Sequence, residues 1–243
     1  MQGGLHVGVS AQIALRDRLE TLAHNLANVN TPGFRAEQAK FDAAVARIGQ
    51  QAPVAFVEAQ EPYLSRESGG VMKTDSPLDV ALQGEAFMAL QTPQGATYTR
   101  DGRLYMTPTG ALVSVNGHAV LDAGGAPIQL DPAGARPAIS RDGMISQGER
   151  RLGAIGLFAI DPAARLTRAD NSGVVPDRPP TAILDFTRNG VLQGYLENSN
   201  VSGVTEMAKL VSVQRAFESI VAVQGQSEQS FVDAIKTLGG GGA

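Results

Sequence analysis

Cysteine and tryptophan are absent from the sequence, and aromatic residues make up only 5% of its 243 positions. The absence of cysteine excludes disulfide bonds, zinc sites built on thiolates and cysteine nucleophiles. The scarcity of aromatic residues argues against a ligand-binding barrel, because small-molecule pockets are lined mainly by apolar and aromatic side chains. The three histidines, His6, His24 and His118, lie far apart, so their spacing indicates no metal site.

Neither sign of charge is concentrated in the sequence. The formal net charge is −4, and basic residues are mixed with acidic ones, as at residues 16–20. This distribution is typical of a solvated surface rather than of a phosphate-binding face, which argues against a nucleic-acid partner. Hydrophobic residues, at 43%, are frequent enough for a folded core.

Long hydrophobic runs are also missing. No segment approaches the roughly 18 consecutive apolar residues that a membrane-spanning helix needs. The first 15 residues contain no apolar core of the secretory type, and no Lys or Arg precedes Arg16. We therefore expect neither a spanning helix nor a cleaved signal peptide.

The N-terminal segment, residues 5–30, has the pattern of a helix. Its apolar residues are separated by alternating steps of four and three, which is the a/d pattern of a coiled coil. These residues are Leu15, Leu19, Leu22, Leu26 and Val29. By this pattern we predict a helix of about 24 residues, roughly 36 Å long.

A turn is predicted directly after this helix. Residues 28–34 contain adjacent proline and glycine, which end a helix and begin a turn. The turn residues are Asn28, Asn30, Thr31, Pro32 and Gly33. They fit either a hinge that aims the helix or ordinary helix-ending chemistry, and the two interpretations are compatible.

The C-terminal segment repeats the same pattern over a greater length. Ser202 is a candidate N-cap, and Glu206 lies in the first turns, where a carboxylate suits the helix dipole. From there the predicted seam alternates steps of three and four through Met207, Leu210, Gln214, Phe217, Val221, Gln224, Glu228, Phe231, Ile235 and Leu238. We predict a helix of about 37 residues, roughly 55 Å long.

Three polar residues occupy positions of this seam, namely Gln214, Gln224 and Glu228. They either fix the register of the helix contacts, as polar core residues do in coiled coils, or face water because the true seam is offset by one residue. The seams are narrow, and a single long helix is marginal in water, so each helix needs a partner. An antiparallel pair within one chain leaves part of the longer seam uncovered, which favours stacking of subunits.

The middle of the chain differs from both ends in composition, because glycine and proline are frequent there. Turn signals recur at 101–102, 107–110, 116–117, 122–125, 131–132, 142–143 and 189–190. Short apolar or β-branched segments such as 111–115 and 118–121 separate them, which predicts an antiparallel meander. Residues 34–75 are ambiguous, because 41–48 favour a helix and 53–63 an extended segment.

The sequence therefore predicts a mainly β central domain, antiparallel and sandwich- or barrel-like, with N- and C-terminal α-helices that form a coiled-coil domain. We place the helical domain at residues 1–33 with 200–243, a connecting region at 34–75 with 180–199, and the β-rich domain at 76–179.

No catalytic constellation stands out. Asp75 and Asp79 are four residues apart beside Pro77, but aspartates in such a context usually stabilise turns. No nucleophile elbow and no phosphate-binding loop is present. We predict no catalytic, cofactor-binding or metal-binding residue. The remote alternative is a secreted cell-wall glycan hydrolase, which would need two carboxylates facing each other in a cleft.

Four motifs resemble the flagellar basal-body rod and hook protein family. They are residues 27–34 (ANVNTPGF), 78–84 (LDVALQG) with Phe87, 98–102 (YTRDG), and 196–201 (LENSNV) with 214–218 (QRAFE). Within the family, residues 7–16 are more similar to the opening of a proximal rod subunit than to that of the distal rod subunit. A distal rod or hook-type subunit is the alternative.

This resemblance implies a structural protein without catalysis or small-molecule substrate. Such a protein is exported by the flagellar type III apparatus without a cleaved signal peptide. It polymerises with itself and with neighbouring rod proteins across the periplasm, as part of the drive shaft of the basal body. The terminal helices would form an inner tube, with the two sets of apolar seam residues packing between subunits, and the β-rich domain would face outward.

Overall fold

A computed structural model describes residues 2–38, 41–46, 54–59, 62–170 and 172–239 of the chain. Two α-helices and twenty strands make this part mainly β. Two compact units are distinguished. The first comprises Met1–Ala27, Glu37–Pro62 and Ser202–Ala243, and the second comprises Asn28–Ala36 and Tyr63–Val201.

The first unit is built on two helices, α1 (Gln2–Ala27) and α2 (Gly203–Gly239). Gln12 near the start of α1 bonds Gln224 late in α2, whereas Asn25 at the end of α1 bonds Glu206 at the start of α2, so the pair is antiparallel. The observed lengths of 26 and 37 residues confirm the two predicted helices.

Three strands belong to the same unit as the helices, and one of them lies within residues 41–48, where the sequence favoured a helix. After the two-residue β1 (Glu37–Gln38), strands β2 (Phe41–Ala46) and β3 (Val54–Ala59) form an antiparallel ladder. The helix prediction is therefore wrong for 41–46, and 47–48 lie outside the described residues. The alanines of this segment favour a helix locally, but pairing with a β-branched, aromatic partner strand overrides that preference.

The second unit contains seventeen short strands. Their bounds are β4 Tyr63–Leu64, β5 Val71–Lys73, β6 Val80–Gln83, β7 Ala86–Thr92, β8 Gly95–Thr99, β9 Leu104–Met106, β10 Leu112–Ser114, β11 Ala119–Val120, β12 Pro137–Ile139, β13 Met144–Gln147, β14 Arg150–Ala154, β15 Leu157–Ala159, β16 Leu166–Ala169, β17 Gly173–Pro176, β18 Thr181–Ala182, β19 Gly190–Gln193 and β20 Tyr195–Glu197.

The largest sheet has nine strands, and β7 is its centre. The order is β16-β17-β8-β7-β11-β10-β9, and β15 pairs with both β7 and β18. Strands β12, β13 and β14 form a separate sheet, and β6 pairs with β19 and β5 with β20. All these pairings are antiparallel, as predicted. Among the described residues the sheets are open, and none closes into a barrel.

The alternation of side chains along β7 divides the core of this unit. Ala86, Met88 and Leu90 belong to one buried cluster, whereas Phe87 belongs to a second cluster on the opposite face. A strand that is buried on both faces carries apolar side chains at successive positions. This explains why residues 86–90 are all apolar and all buried.

Most predicted turns are present, but the pair Asp101–Gly102 is not a hairpin turn. Turns lie at 108–109, 115–116, 123–124, 132–133 and 141–142, whereas the predicted turn at 189–190 is wrong, because the turn lies at 186–188 and Gly190 begins β19. Gly102 instead passes so close to β6 that a Cβ atom there would lie 1.6 Å from the carbonyl oxygen of Val80. The backbone N–H of Val80 donates to Gly102 O at 3.0 Å. The glycine is therefore required by a close approach of two backbones.

None of the described helices combines the length and the apolar character that a membrane span requires.

Leu112 and Leu184 provide a matched test of this core. Leu112 is fully buried in the larger cluster, and Leu184 is 86% exposed. We expect Leu112→Ala to lower the free energy of unfolding of the second unit by about 2–5 kcal/mol, and Leu184→Ala by less than about 0.5 kcal/mol. Urea denaturation followed by tyrosine fluorescence measures this, because all four tyrosines lie in that unit. Equal losses would contradict the burial of Leu112.

Candidate functional site

Two features of the described structure are candidates for function: the faces of the helix pair and a buried charge cluster. On α1, Leu22 is buried, and Leu15, Leu19 and Leu26 are half-buried. Val9 and Ile13 on the same helix are 44% and 49% exposed. The helix therefore has a covered face and also some apolar surface left in contact with water.

The covered face of α2 is offset from the predicted seam. Its buried and half-buried residues again follow steps of four and three, and they are Glu206, Leu210, Val213, Phe217, Ile220 and Gln224. Leu210 and Phe217 of the predicted seam thus lie on the covered face. Met207 and Val221 are 56% and 46% exposed. Phe231, Ile235 and Leu238 lie in α2, but their side chains are outside the described part.

Five exposed apolar residues of α2 lie on one row of the helix. Val204, Met207, Val211, Val221 and Val232 are all at least 46% exposed, whereas Val223, 63% exposed, lies off this row. The five positions fall on one series of alternating three- and four-residue steps, so they share one face of the helix, with Gln214, Glu218, Gly225 and Glu228 at the positions between Val211 and Val232. We call the five apolar residues the exposed stripe.

The polar residues of the predicted seam behave differently from one another. Gln224 is half-buried, and its Oε1 accepts a 2.5 Å hydrogen bond from Nε2 of Gln12 on the other helix. Gln214 is exposed and bonds Glu218 on its own helix. Of the two interpretations, register fixing therefore suits Gln224 and solvent exposure suits Gln214. The side chain of Glu228 is outside the described part.

A second polar contact between the helices was not predicted. Asn25 is 2% exposed; its Oδ1 accepts from the backbone N–H of Glu37, and its Nδ2 donates to Glu37 O and to Oε2 of Glu206. The other carboxylate oxygen of Glu206 is 2.7 Å from Lys209 Nζ. The sequence indicated Glu206 only as a carboxylate that suits the helix dipole. Its contact with Asn25 was missed because the two residues are 181 positions apart.

The predicted turn after α1 is firmly held within the second unit. Thr31 N–H donates to Asn28 O, and Thr31 Oγ1 donates to Asn28 Oδ1, each at 3.1 Å. Gly33 N–H donates to Glu197 O at 2.8 Å. Asn28 and Gly33 are buried, Thr31 and Pro32 are half-buried, and Asn30 is exposed. Val29, predicted as the last seam residue of the helix, lies in this turn instead, because α1 ends at Ala27, and it is half-buried.

Gly33 allows the tightest of these contacts. Its φ of +68° is unfavourable for other residues, and a Cβ atom would lie 2.3 Å from the backbone nitrogen of Asp101. The turn therefore lies directly against the loop that follows β8.

The buried charge cluster lies beside this turn. Glu197 at the end of β20 is 2% exposed, and it contacts two guanidinium groups. Nε and Nη2 of Arg100 are both 2.6 Å from its Oε2, and Nη2 of Arg35 is 3.1 Å from its Oε1. The exposed fractions of the side chains are 2% for Arg100 and 5% for Arg35.

Arg100 uses its whole guanidinium group. Nη1 donates to the carbonyl oxygens of Gly84 and Ala86 at 2.9 and 2.5 Å, and Nη2 donates to Leu82 O at 2.6 Å. Together with the Nε bond to Glu197, these bonds give all three guanidinium nitrogens an acceptor, and Nη2 also forms an ion pair with Glu197 Oε2. Arg100 thereby connects β6, β7 and β20 through one side chain.

The segment around Arg35 is fixed by neighbours on both sides. The Arg168 guanidinium carbon lies 4.3 Å from the centre of the Phe34 ring, and its Nη2 donates to Arg35 O. Asn200 Oδ1 accepts from Ala36 N–H at 2.7 Å. Burial lowers the pKa of Arg35 to about 10, against the opposing effect of the Glu197 carboxylate, so the group stays charged at neutral pH.

No described group of three or more His, Cys, Asp or Glu side chains is arranged to bind a metal ion. Asp75 lies in the loop after β5 with φ of +59° and forms an ion pair with Lys73 at 2.9 Å. The turn itself lies at 77–78, so Asp75 precedes it.

Gly33→Ala tests the contact between the turn and the β8–β9 loop. We expect it to lower the free energy of unfolding of the second unit by at least about 2 kcal/mol. The methyl group would displace the backbone at Asp101, and alanine would also be strained at the positive φ of this position. Gly117 also has positive φ, but no atom of the described residues lies within 4 Å of the place that a methyl group would take there. Gly117→Ala should therefore cost only about 1 kcal/mol. Equal costs in urea denaturation would exclude the close approach.

Glu197→Gln tests the charge cluster. The substitution keeps the size of the side chain but leaves two buried arginines without a counter-charge, so we expect a loss of about 3–5 kcal/mol in the stability of the second unit. Glu149 is exposed, and Glu149→Gln is the control, with an expected change below about 0.5 kcal/mol. Tyrosine fluorescence in urea again provides the measurement, and equal stability of both variants would refute the role of the cluster.

Comparison with known families matches three parts of the chain. The matching models are described as "Flagella basal body rod protein" (residues 5–35), "Flagellar hook protein FlgE/F/G D1 domain" (81–147) and "Flagellar basal body rod FlgEFG protein C-terminal" (192–236). Each matched part contains one member of the charge cluster: Arg35, Arg100 and Glu197, respectively.

Whole-chain relatives agree with these matches. The flagellar basal-body rod protein FlgF of Mesorhizobium japonicum is 47% identical over 98% of this chain and 99% of its own. FlgF of Rhizobium meliloti is 44% identical, with 99% of each chain covered. FlgF of Escherichia coli is 32% identical, over 90% of this chain and 91% of its own. On this similarity, the chain belongs to the family of flagellar basal-body rod proteins FlgF.

Proposed function

We propose that the protein is a structural subunit of the proximal rod of the bacterial flagellum and that it polymerises through its terminal helices. The exposed stripe on α2 is the observation that carries this proposal. An apolar row along one face of a helix is unfavourable in water and is typical of a surface that another helix covers.

The unequal lengths of the two helices also support contacts between subunits. α2 is 37 residues long and α1 is 26, so the antiparallel pair leaves about eleven residues of α2 without α1 beside them. At 1.5 Å per residue this overhang is about 16 Å long. In our proposal, neighbouring subunits cover the overhang and the exposed stripe, and the helices of the assembly form coiled-coil contacts.

The predicted packing residues take part in two kinds of contact in this scheme. The covered residues, such as Leu22 and Phe217, hold the two helices of one subunit together. The exposed ones, such as Met207 and Val221, contact neighbouring subunits. The turn at residues 28–33 sets the direction in which α1 leaves the β-rich unit. The three-part division, with an inner tube of helices and an outer β-rich domain, belongs to the same proposal.

The partners follow from the family. We propose contacts with further copies of this chain and with neighbouring rod proteins, and passage through the flagellar type III export apparatus without a cleaved signal peptide. The assembled rod would cross the periplasm and transmit torque through the interlocked helices, which resist sliding because their apolar faces are buried.

A distal rod subunit is the alternative within the family. Relatives named flagellar basal-body rod protein FlgG are less similar; that of Bacillus subtilis is 26% identical over 90% of this chain and 92% of its own. Hydrolysis of glycan has little support. The cavity beside Asp101 and Asp170 has a volume of about 20 Å³, which is too small for a sugar ring, and Asp101 is already paired with Arg103.

Val211→Asp tests the exposed stripe. Val211 is 47% exposed, so the isolated chain should tolerate the charge, whereas a buried helix contact in the rod should not. The variant is expressed in a strain whose own gene for this protein is deleted. We expect its basal bodies to contain at least tenfold less of this protein than those of the same strain with the unchanged chain. The unfolding midpoint of the β-rich unit, followed by tyrosine fluorescence, should not change.

Ser212→Asp is the matched control, because it adds the same charge to the neighbouring exposed position outside the stripe. It should be incorporated normally. The exported amount of each variant is measured in parallel, so that a defect in export is not mistaken for a defect in assembly. Equal incorporation of both variants would remove the main support for polymerisation through this face.

A further inference from the structure

A small cavity in the second unit is lined mainly by side chains that contain oxygen. They come from β8 and the loop after it, from the end of β10, and from the segment between β16 and β17. They include Thr97, Thr99, Asp101, Ser114, Asp170 and Ser172. None of the described residues in this lining is basic. The cavity volume of about 20 Å³ is enough for one water molecule or one metal ion.

One hydroxyl group in this lining has no hydrogen-bond partner. Thr97 is 4% exposed, and its Oγ1 neither donates nor accepts a hydrogen bond among the residues that the structure describes. The oxygen is nevertheless not enclosed by other atoms, so it is accessible from the cavity that Thr97 lines. A buried polar group without a partner is unfavourable. A ligand in the cavity would supply the missing interaction.

The neighbouring oxygen atoms are spaced like the ligands of a cation. Thr99 Oγ1 lies 3.2 Å from Ser172 O and 3.4 Å from Ser172 Oγ, and Ser172 Oγ lies 3.4 Å from Asp101 Oδ2. Ordinary O–H···O hydrogen bonds are shorter, at about 2.5–3.0 Å. Two oxygens about 3.4 Å apart subtend an angle of about 90° at an ion about 2.4 Å from each, which suits neighbouring ligands of a six-coordinate calcium ion.

The charges beside the cavity favour a cation. Asp101 is paired with Arg103 through both carboxylate oxygens, which compensates its charge. The side chain of Asp170 is 52% exposed, and its Oδ2 lies 3.3 Å from Nε2 of His118, a group that is charged only when protonated. When His118 is neutral, one negative charge therefore remains at the cavity and attracts a cation.

We propose that this cavity binds a calcium ion through oxygen atoms of Thr97, Asp101, Asp170 and Ser172. Calcium accepts oxygen ligands in irregular arrangements, whereas magnesium requires near-ideal octahedral geometry at shorter distances. Because one net negative charge remains, we expect a dissociation constant on the order of 0.1–1 mM, as in weak calcium sites.

The sequence does not reveal this site, because Asp101 and Ser172 are 71 positions apart. Only two carboxylates take part, and hydroxyl oxygens supply the other ligands. The site therefore differs from the groups of three or more His, Cys, Asp or Glu side chains that the described part of the chain lacks.

Thermal unfolding of the full-length chain, followed by tyrosine fluorescence of the second unit, tests calcium binding independently of assembly. We expect about 10 mM calcium chloride to raise the unfolding midpoint of this unit by roughly 3–10 °C, with a saturable dependence on concentration. Magnesium chloride at the same concentration, and sodium chloride at equal ionic strength, should raise it by less than about 1 °C. Absence of a calcium effect, or equal effects of calcium and magnesium, would overturn the proposal.

Thr97→Val distinguishes a ligand from a structural residue. Valine keeps the shape of threonine but lacks the hydroxyl group, and the substitution removes no hydrogen bond of the fold. Without calcium, the unfolding midpoint should therefore stay equal or rise. The dissociation constant for calcium should increase at least threefold. An unchanged dissociation constant would contradict the role of this hydroxyl and overturn the proposed ligand set.

Asp170→Asn removes the negative charge that attracts the cation. Asp170 has φ of +52°, which asparagine adopts as readily as aspartate, so the backbone should be preserved. We expect at least tenfold weaker calcium binding. Glu149→Gln is the control, because it removes the charge of an exposed carboxylate that does not line the cavity. A loss in Asp170→Asn but not in Glu149→Gln supports the site, and equal calcium binding by the two variants would overturn it.

Discussion

The carboxylate of Glu197 lies between the guanidinium groups of Arg35 and Arg100, where all three side chains are almost fully removed from water. Removing each charge from water costs several kcal/mol, and only the mutual attraction and the surrounding hydrogen bonds offset that cost. A packing that lacked Glu197 would leave two buried guanidinium groups without a counter-charge. We infer that the cluster acts chiefly on specificity, because it permits one arrangement of the three distant segments that carry it.

Two of those segments are the ones through which the chain passes between the β-rich unit and the helices, and the third, with Arg100, follows β8. Arg35 follows the turn after α1, and Glu197 ends the strand that precedes α2. Further bonds join the two segments: Gly33 N–H donates to Glu197 O, and Asn200 N–H donates to Phe34 O. The two connections are therefore fixed to one another inside the β-rich unit. Such mutual fixing keeps the ends of both connections from moving independently.

The sequence predicted elements that depend on local signals and missed those that depend on distant partners. Both helices were predicted with nearly their observed lengths, because periodicity and terminating glycines are local. The ladder of β2 with β3 was missed, since an alanine-rich segment does not reveal its partner strand. The charge cluster was missed for the same reason. Arg100 lies between Thr99 and Asp101, and Glu197 is followed by Asn198, so the local sequence does not mark either charge as buried.

The seam of α2 shows how one sequence pattern can serve two contacts. A repeat of three and four residues fits any row along a helix, so the pattern alone does not decide between rows that are one residue apart. In α2 both neighbouring rows are rich in apolar residues: Leu210, Val213 and Phe217 lie on the covered row, and Val204 and Val211 on the exposed one. The covered row serves the pair within the chain. A subunit that stacks head-to-tail also needs a second, different surface for its neighbour. In our proposal the exposed row of α2 is that surface, and the ambiguity in the sequence then comes from a helix with two interfaces.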